Sequence, residues 1–158
     1  MEPVISTQAT AFLAGHRLAV VGASDRQGNF GVTILKELAD HGHDVVPVNA
    51  HAPTVGGRTC YPTLAEVPGT LDGVVVMVGP ERVADVVRQC IELSIHHVWL
   101  FKGIGGAGSV TPDAVARCRD NGIEVVAGAC PLMFLEPVGL IHRIHRSARR
   151  ANHSLAPA

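Results

Sequence analysis

The chain has 158 residues, enough for one domain with a full hydrophobic core and too few for two ordinary ones. Hydrophobic residues make up 47% of it and charged residues 17%, with 13 Lys and Arg against 14 Asp and Glu. That balance argues against nucleic acid as a partner, and no run approaches the roughly 20 apolar residues that a membrane span needs.

In chain order, the opening MEPVISTQATAFLAGH has no basic start and no sustained apolar core, so a cytoplasmic, unanchored protein is expected. Residues 1–17 are read as an N-terminal extension with a helix over 6–14. Five short apolar runs follow: LAVVGA from Leu18, DVVPVN from Asp44, GVVVMV from Gly73, HVWLF from His97 and IEVVAG from Ile123. They are nearly unbroken rather than alternating, as in parallel strands covered on both faces. Between them, Phe30, Ile34, Leu35, Leu38 and Ala39 form one helical stripe, and Val83, Val86, Val87, Cys90 and Ile91 form another. Thr111, Pro112 and Asp113 read as cap, first helical position and dipole-favourable acid, while Gly42 and Gly122 sit just past helix ends. The segment 50–71 is the least regular and is expected to be a compact loop with one turn at Thr63 to Val67. A basic stretch, GLIHRIHRSARR, precedes a loose tail at 151–158. The sum is α/β: one Rossmann-like domain over 18–150, a doubly wound parallel sheet of about five strands with ligands at the strands' carboxyl ends.

The stretch VVGASDRQGNFG stands where the first strand runs into a helix. Gly22 allows a tight turn, and Gly28 and Gly31 lie where loop becomes helix, whose free N–H groups and partial positive charge stabilise a phosphate. Ser24 offers a hydroxyl, and Asp25, Arg26 and Asn29 are polar neighbours on the same loop. A plain strand-to-helix turn is the alternative. NAD is disfavoured, because the GxGxxG spacing is absent and the second strand ends at Asn49 instead of an acid that would hold a ribose hydroxyl. NADP or a 3′-phosphorylated adenosine tolerates that absence, with Arg26, His51 and Arg58 as candidates to neutralise the phosphate.

Four segments in register, VVGASDRQGNFG, VVPVNAHAPTVGGRTCYPTLAEVPG, VWLFKGIGG and GIEVVAGACP, resemble the CoA-binding domain family. Its members are small stand-alone proteins related to the N-terminal part of the succinyl-CoA synthetase alpha subunit. The resemblance runs from about Leu18 to Pro131. It implies that Gly22, Ala23, Ser24, Asp25 and the region of Phe30 and Gly31 hold the diphosphate of coenzyme A, with Asn49 near the adenosine half. Val78, Gly79 and Pro80 would line the next wall, beside adenine or pantetheine. In one respect the chain departs from its relatives: small members often carry Trp-x-Gln-x-Gly after the fourth strand, and here Trp99, Leu100, Phe101, Lys102, Gly103 puts Phe at the Gln position.

Lys102, on a glycine-rich loop, reads either as a point charge for phosphate or as a solvated lysine. Cys130, in a stretch resembling the synthetase's Gly-x-Asn-Cys-Pro, reads either as a thiol acidified by a helix start or as a small hydrophobe before Pro131. The four cysteines are widely spaced and no metal site is expected; His142 and His145 are exposed neighbours of Arg143 and Arg146 rather than a metal pair. No self-contained catalytic constellation is present. The expected function is binding of coenzyme A or an acyl-CoA by a non-catalytic sensor, carrier or accessory module. An NADP-dependent oxidoreductase with an atypical loop and an interaction domain with no ligand are the alternatives. Apolar residues in PLMFLEPVGLI are candidates for a homodimer contact.

Overall fold

A computed structural model describes residues 3–103 and 108–135. The opening helix α1 covers Pro3–Leu13, and β1 (Arg17–Val21), α2 (Gly31–Asp40) and β2 (Asp44–Val48) follow. Next come a hairpin of β3 (Thr54–Val55) and β4 (Arg58–Thr59), a short turn of helix at Leu64–Glu66, and β5 (Gly73–Val76). The chain continues through α3 (Pro80–Glu92), β6 (His97–Leu100), α4 (Pro112–Asp120), β7 (Glu124–Ala127) and a last helical turn at Pro131–Met133.

The five expected strands form one parallel sheet in the order β2-β1-β5-β6-β7. From β1 the chain first winds outward to β2, then crosses back to β5 on β1's other side. The order therefore reverses between β1 and β5, where diverging connections leave a crevice at the carboxyl ends.

Although the strand sequences are continuous apolar runs, the pleat sorts them. Leu18, Val20, Val75, Trp99 and Val126 pack with Ala9 and Phe12 of α1 and Ile34, Leu35 and Leu38 of α2. Ala19, Val21, Val74, Val76, Val98, Leu100 and Val125 face α3 and α4 through Val83, Val87, Cys90, Ala114 and Cys118. Two helices on each face explain why neither face tolerates polar residues. Trp99, fully buried, meets Phe12 edge-on at 5.4 Å and Phe134 at 5.5 Å between ring centres.

The loop expected after β2 contains a hairpin that the patterning misses. Gly56 and Gly57 both have positive φ, +58° and +73°, as a two-residue turn of that hand requires. A pair of two-residue strands is too short to show periodicity, so Gly-Gly is the one signal the sequence carries for it. Val55 plugs this hairpin into the α2 side of the core, and Tyr61 bridges Val48, covering the edge strand β2. Of the residues considered for a dimer contact, Met133 is strongly exposed, while Leu132, Phe134 and Leu135 pack inward. Residues 136–158, including the basic stretch with His142 and His145 and the tail, lie outside the described residues. Among the described residues no helix is long and apolar enough to cross a membrane.

Candidate functional site

Gly22 ends β1 at φ +98°, and a Cβ there would stand 2.3 Å from the Met77 carbonyl oxygen. Only glycine lets the ends of β1 and β5 approach this closely at the switch point. From there the loop is tied down by one amide. Asn29 accepts from the N–H groups of Ser24 (3.1 Å) and Gly31 (2.8 Å) and donates to the Gly22 carbonyl at 3.1 Å. Gly31 brings α2 against the loop, where a Cβ would meet the Ala23 Cα at 2.7 Å. The loop is thus folded by its own side chains, and Asn29 is a structural brace. Helix geometry leaves the first-turn N–H groups of Val32 and Thr33 without intrahelical partners at this end.

A second amide braces the neighbouring strand end. Asn49 donates to the Ala23 carbonyl at 3.0 Å and accepts from the His51 N–H at 2.8 Å. Ser24 Oγ accepts from the Arg26 N–H at 3.1 Å, which leaves its own hydrogen free to donate. Asp25 accepts from the Gly56 N–H at 2.9 Å and so links the loop to the hairpin. Across the crevice, Ser109 holds both backbone groups of Val78, accepting from its N–H at 3.0 Å and donating to its carbonyl at 2.6 Å.

The crevice has two lobes that share Gly22, Asn29, Met77, Val78 and Gly79. The larger, about 610 Å³, is polar: Ser24, Asp25, Arg26, Asn49, His51, Ala52 and Arg82 complete its wall. Two arginines and a histidine against one carboxylate, itself engaged by Gly56, suit an anion. The smaller, about 260 Å³, is walled by Phe30, Gly31, Pro80, Phe101, Gly108 and Ser109. Phe30 and Phe101 meet there with ring centres 5.9 Å apart.

The lobes bring together most of the residues singled out from the sequence, with several corrections. Phe30, expected on the buried stripe of α2, is the residue before that helix; it is 43% exposed and faces the crevice. Arg58 sits on β4, over the outer face of α2 beside Lys36 and Asp40, away from both lobes. Gly28 is exposed, and a Cβ at this position would have nothing within 4 Å; its φ of +83° is what calls for glycine. Ala23 is fully buried and takes part through its backbone. Exposed Lys102 and half-buried Gly103 follow β6 but do not line either lobe.

Burial, opposed by the Leu132 backbone, pushes the Cys130 thiol pKa up, and the helix it precedes is a single turn; both favour the small-hydrophobe reading. Beside it Ala129 adopts φ +64°, rare for a residue with a Cβ, and its carbonyl accepts from Trp99 Nε1 at 3.3 Å and Lys102 N at 3.4 Å. Arg82, Met77 and Ser109 are lining residues that sequence reasoning missed. Arg82 carried a faint signal, the third helical position of α3 directly beyond Gly79 and Pro80.

Residues 16–136 match a family model described as a CoA binding domain. The chain belongs to this CoA-binding domain family. It is 27% identical over 114 residues to a Bacillus subtilis protein, Uncharacterized protein YneT, covering 72% of this chain and 81% of that one. Over 118 residues it is 33% identical to ADP-forming acetate–CoA ligase I of Archaeoglobus fulgidus, where the match spans 72% of this chain but 17% of the ligase. Among solved structures, a hypothetical protein from Pyrococcus horikoshii OT3 superposes with a TM-score of 0.76 at 26% identity, covering 85% of this chain and 94% of that one. The family's members thus include both small proteins and single segments of much larger ligases.

Proposed function

We propose that this CoA-binding domain binds coenzyme A or an acyl-CoA in the two-lobed crevice, as a non-catalytic sensor, carrier or accessory module. One observation carries the reading: a single crevice joins a cation-lined polar lobe to a small aromatic one at a glycine-built strand end. Coenzyme A has that division, a phosphorylated adenosine at one end and an uncharged arm at the other.

The residues fit such a group. Gly22 and Gly31 leave no side chain where the loop and α2 meet, and Ser24 with the N–H groups of Val32 and Thr33 would receive the diphosphate. Arg26, His51 and Arg82 would neutralise the adenosine phosphate, with Arg82 in the role that the sequence suggests for Arg58. Asn49 would hold the strand end against the adenosine half, and Val78, Gly79 and Pro80 would form the wall shared with the arm. Bound coenzyme A would supply a thiol or thioester at the end of that arm, and the chain's own residues would orient it. A homodimer through the exposed Met133 region belongs to the same proposal.

A thermal-shift panel of CoA, acetyl-CoA, NAD, NADP and ATP tests the reading. A ligand at 100 times its dissociation constant adds about 2.7 kcal/mol to the folded state. CoA and acetyl-CoA are expected to raise the melting temperature. Stabilisation by NADP without CoA would identify the oxidoreductase alternative, and a flat response to all five would identify an interaction domain.

A further inference from the structure

The small lobe differs from the large one in what its side chains have left to offer. Ser109 is 1% exposed and its hydroxyl is engaged by both backbone groups of Val78. The Asn29 amide is engaged by three backbone groups. The remaining described walls are Phe30, Phe101, Met77, Val78, Pro80 and glycines, so no described side chain there carries a charge. A carboxylate entering the lobe would lose water and find no cationic side chain among the described walls, whereas an apolar group would replace water against two aromatic rings. Size narrows the choice further: about 260 Å³ lies below the roughly 300–1,000 Å³ of sites that take a whole drug-sized ligand. A short extension of a ligand held mainly in the larger lobe fits it.

We propose that the Phe30–Phe101 lobe is an acyl-selecting subsite, receiving the thioester end of the ligand and favouring short uncharged acyl groups over carboxylated ones. Phe101 is its main specificity determinant, because its ring, 5.9 Å from that of Phe30, supplies the apolar wall. This inference rests on the proposed binding of coenzyme A, and the experiment separates the two.

Isothermal titration of the full chain with CoA, butyryl-CoA and succinyl-CoA reads it out. The natural chain is expected to bind butyryl-CoA about 10-fold or more tightly than succinyl-CoA, the scale of discrimination that a small apolar pocket supplies. Phe101→Gln should shrink that ratio severalfold, and Phe101→Leu, which keeps the wall apolar, should preserve most of it. Phe30→Ser, at an exposed position before α2, provides a second variant should Phe101→Gln fail to fold. Equal affinities for the two thioesters, or an unchanged ratio in the folded variants, would overturn the subsite while leaving CoA binding intact. Failure of all three ligands to bind would overturn the binding proposal and the subsite with it.

Discussion

The two ends of the parallel sheet are held together by different chemistry. At the amino ends, Asp72 accepts from the N–H groups of His16 and Arg17 at 2.9 and 2.8 Å, and Arg17 pairs with Asp44 at 3.2 Å. Half-buried His43 meets the Gly15 carbonyl through Nδ1 at 2.9 Å. At the carboxyl ends, the main braces are the amides of Asn29 and Asn49, with glycine at the closest approaches. An amide has donors and acceptors but does not ionise, so it organises a loop without adding charge. The end that must receive an anion is thus braced mostly by neutral groups, leaving Arg26 and Arg82 as the cations lining it, with the His51 imidazole in the same wall. The other end uses ionisable groups as fasteners.

The largest expected effect tests the glycine contact. Gly22→Val adds a branched side chain at φ +98° against the Met77 carbonyl, and a loss of about 3–5 kcal/mol in urea unfolding is expected. A loss below about 1 kcal/mol would mean that the strand ends can part cheaply, and the close approach would lose its meaning.

Asn29→Ala comes next. It removes three hydrogen bonds to backbone groups in a half-buried loop, for an expected cost of about 2 kcal/mol. The same variant should weaken CoA binding, since the loop would no longer be held in one shape. Native affinity in a destabilised variant would show that the brace serves stability alone.

The smallest effect is the pH dependence that the ionisable fasteners bring. Burial, opposed by the Gly15 carbonyl and reinforced by nearby His16 and His41, lowers the His43 pKa below its ordinary 6.5. His43 therefore contributes fully above that value, and the contribution falls as pH drops from there through the lowered folded value. The N–H groups of Arg17 and His16 hold the Asp72 carboxyl below its ordinary 3.8. Its contribution is complete above that value and is lost as pH falls through the lower folded one. Urea midpoints measured from neutral to acid pH should show a first small decline that His43→Gln removes and a later one that Asp72→Asn removes, the latter further reduced by solvent screening at this exposed site. An unchanged profile in both variants would erase the contrast between the two ends.

Strand count, chain order and the helices between were legible because apolar runs of four to six residues alternated with strong helical stripes and clear caps. The strand-to-helix turn after β1 was legible for a similar reason: Gly22 follows an apolar run directly, and Gly31 stands where loop becomes helix. The hairpin at Thr54–Thr59 was not, because two-residue strands have no period, and it is held by Val55 reaching a core built from distant elements.

Local pattern determines how each segment folds, since propensity, capping and periodicity act between residues a few positions apart. Which side chains share the crevice was decided by the tertiary structure alone. Arg58 and Arg82 are equivalent cations in the sequence, yet the hairpin carries Arg58 over the outside of α2 while the start of α3 presents Arg82 to the polar lobe. Phe30 follows the β1 loop and Phe101 follows β6, and they meet across the carboxyl ends of a sheet in which β5 lies between those two strands. Such meetings depend on sheet order and on the register between strands, which no segment of the chain encodes by itself.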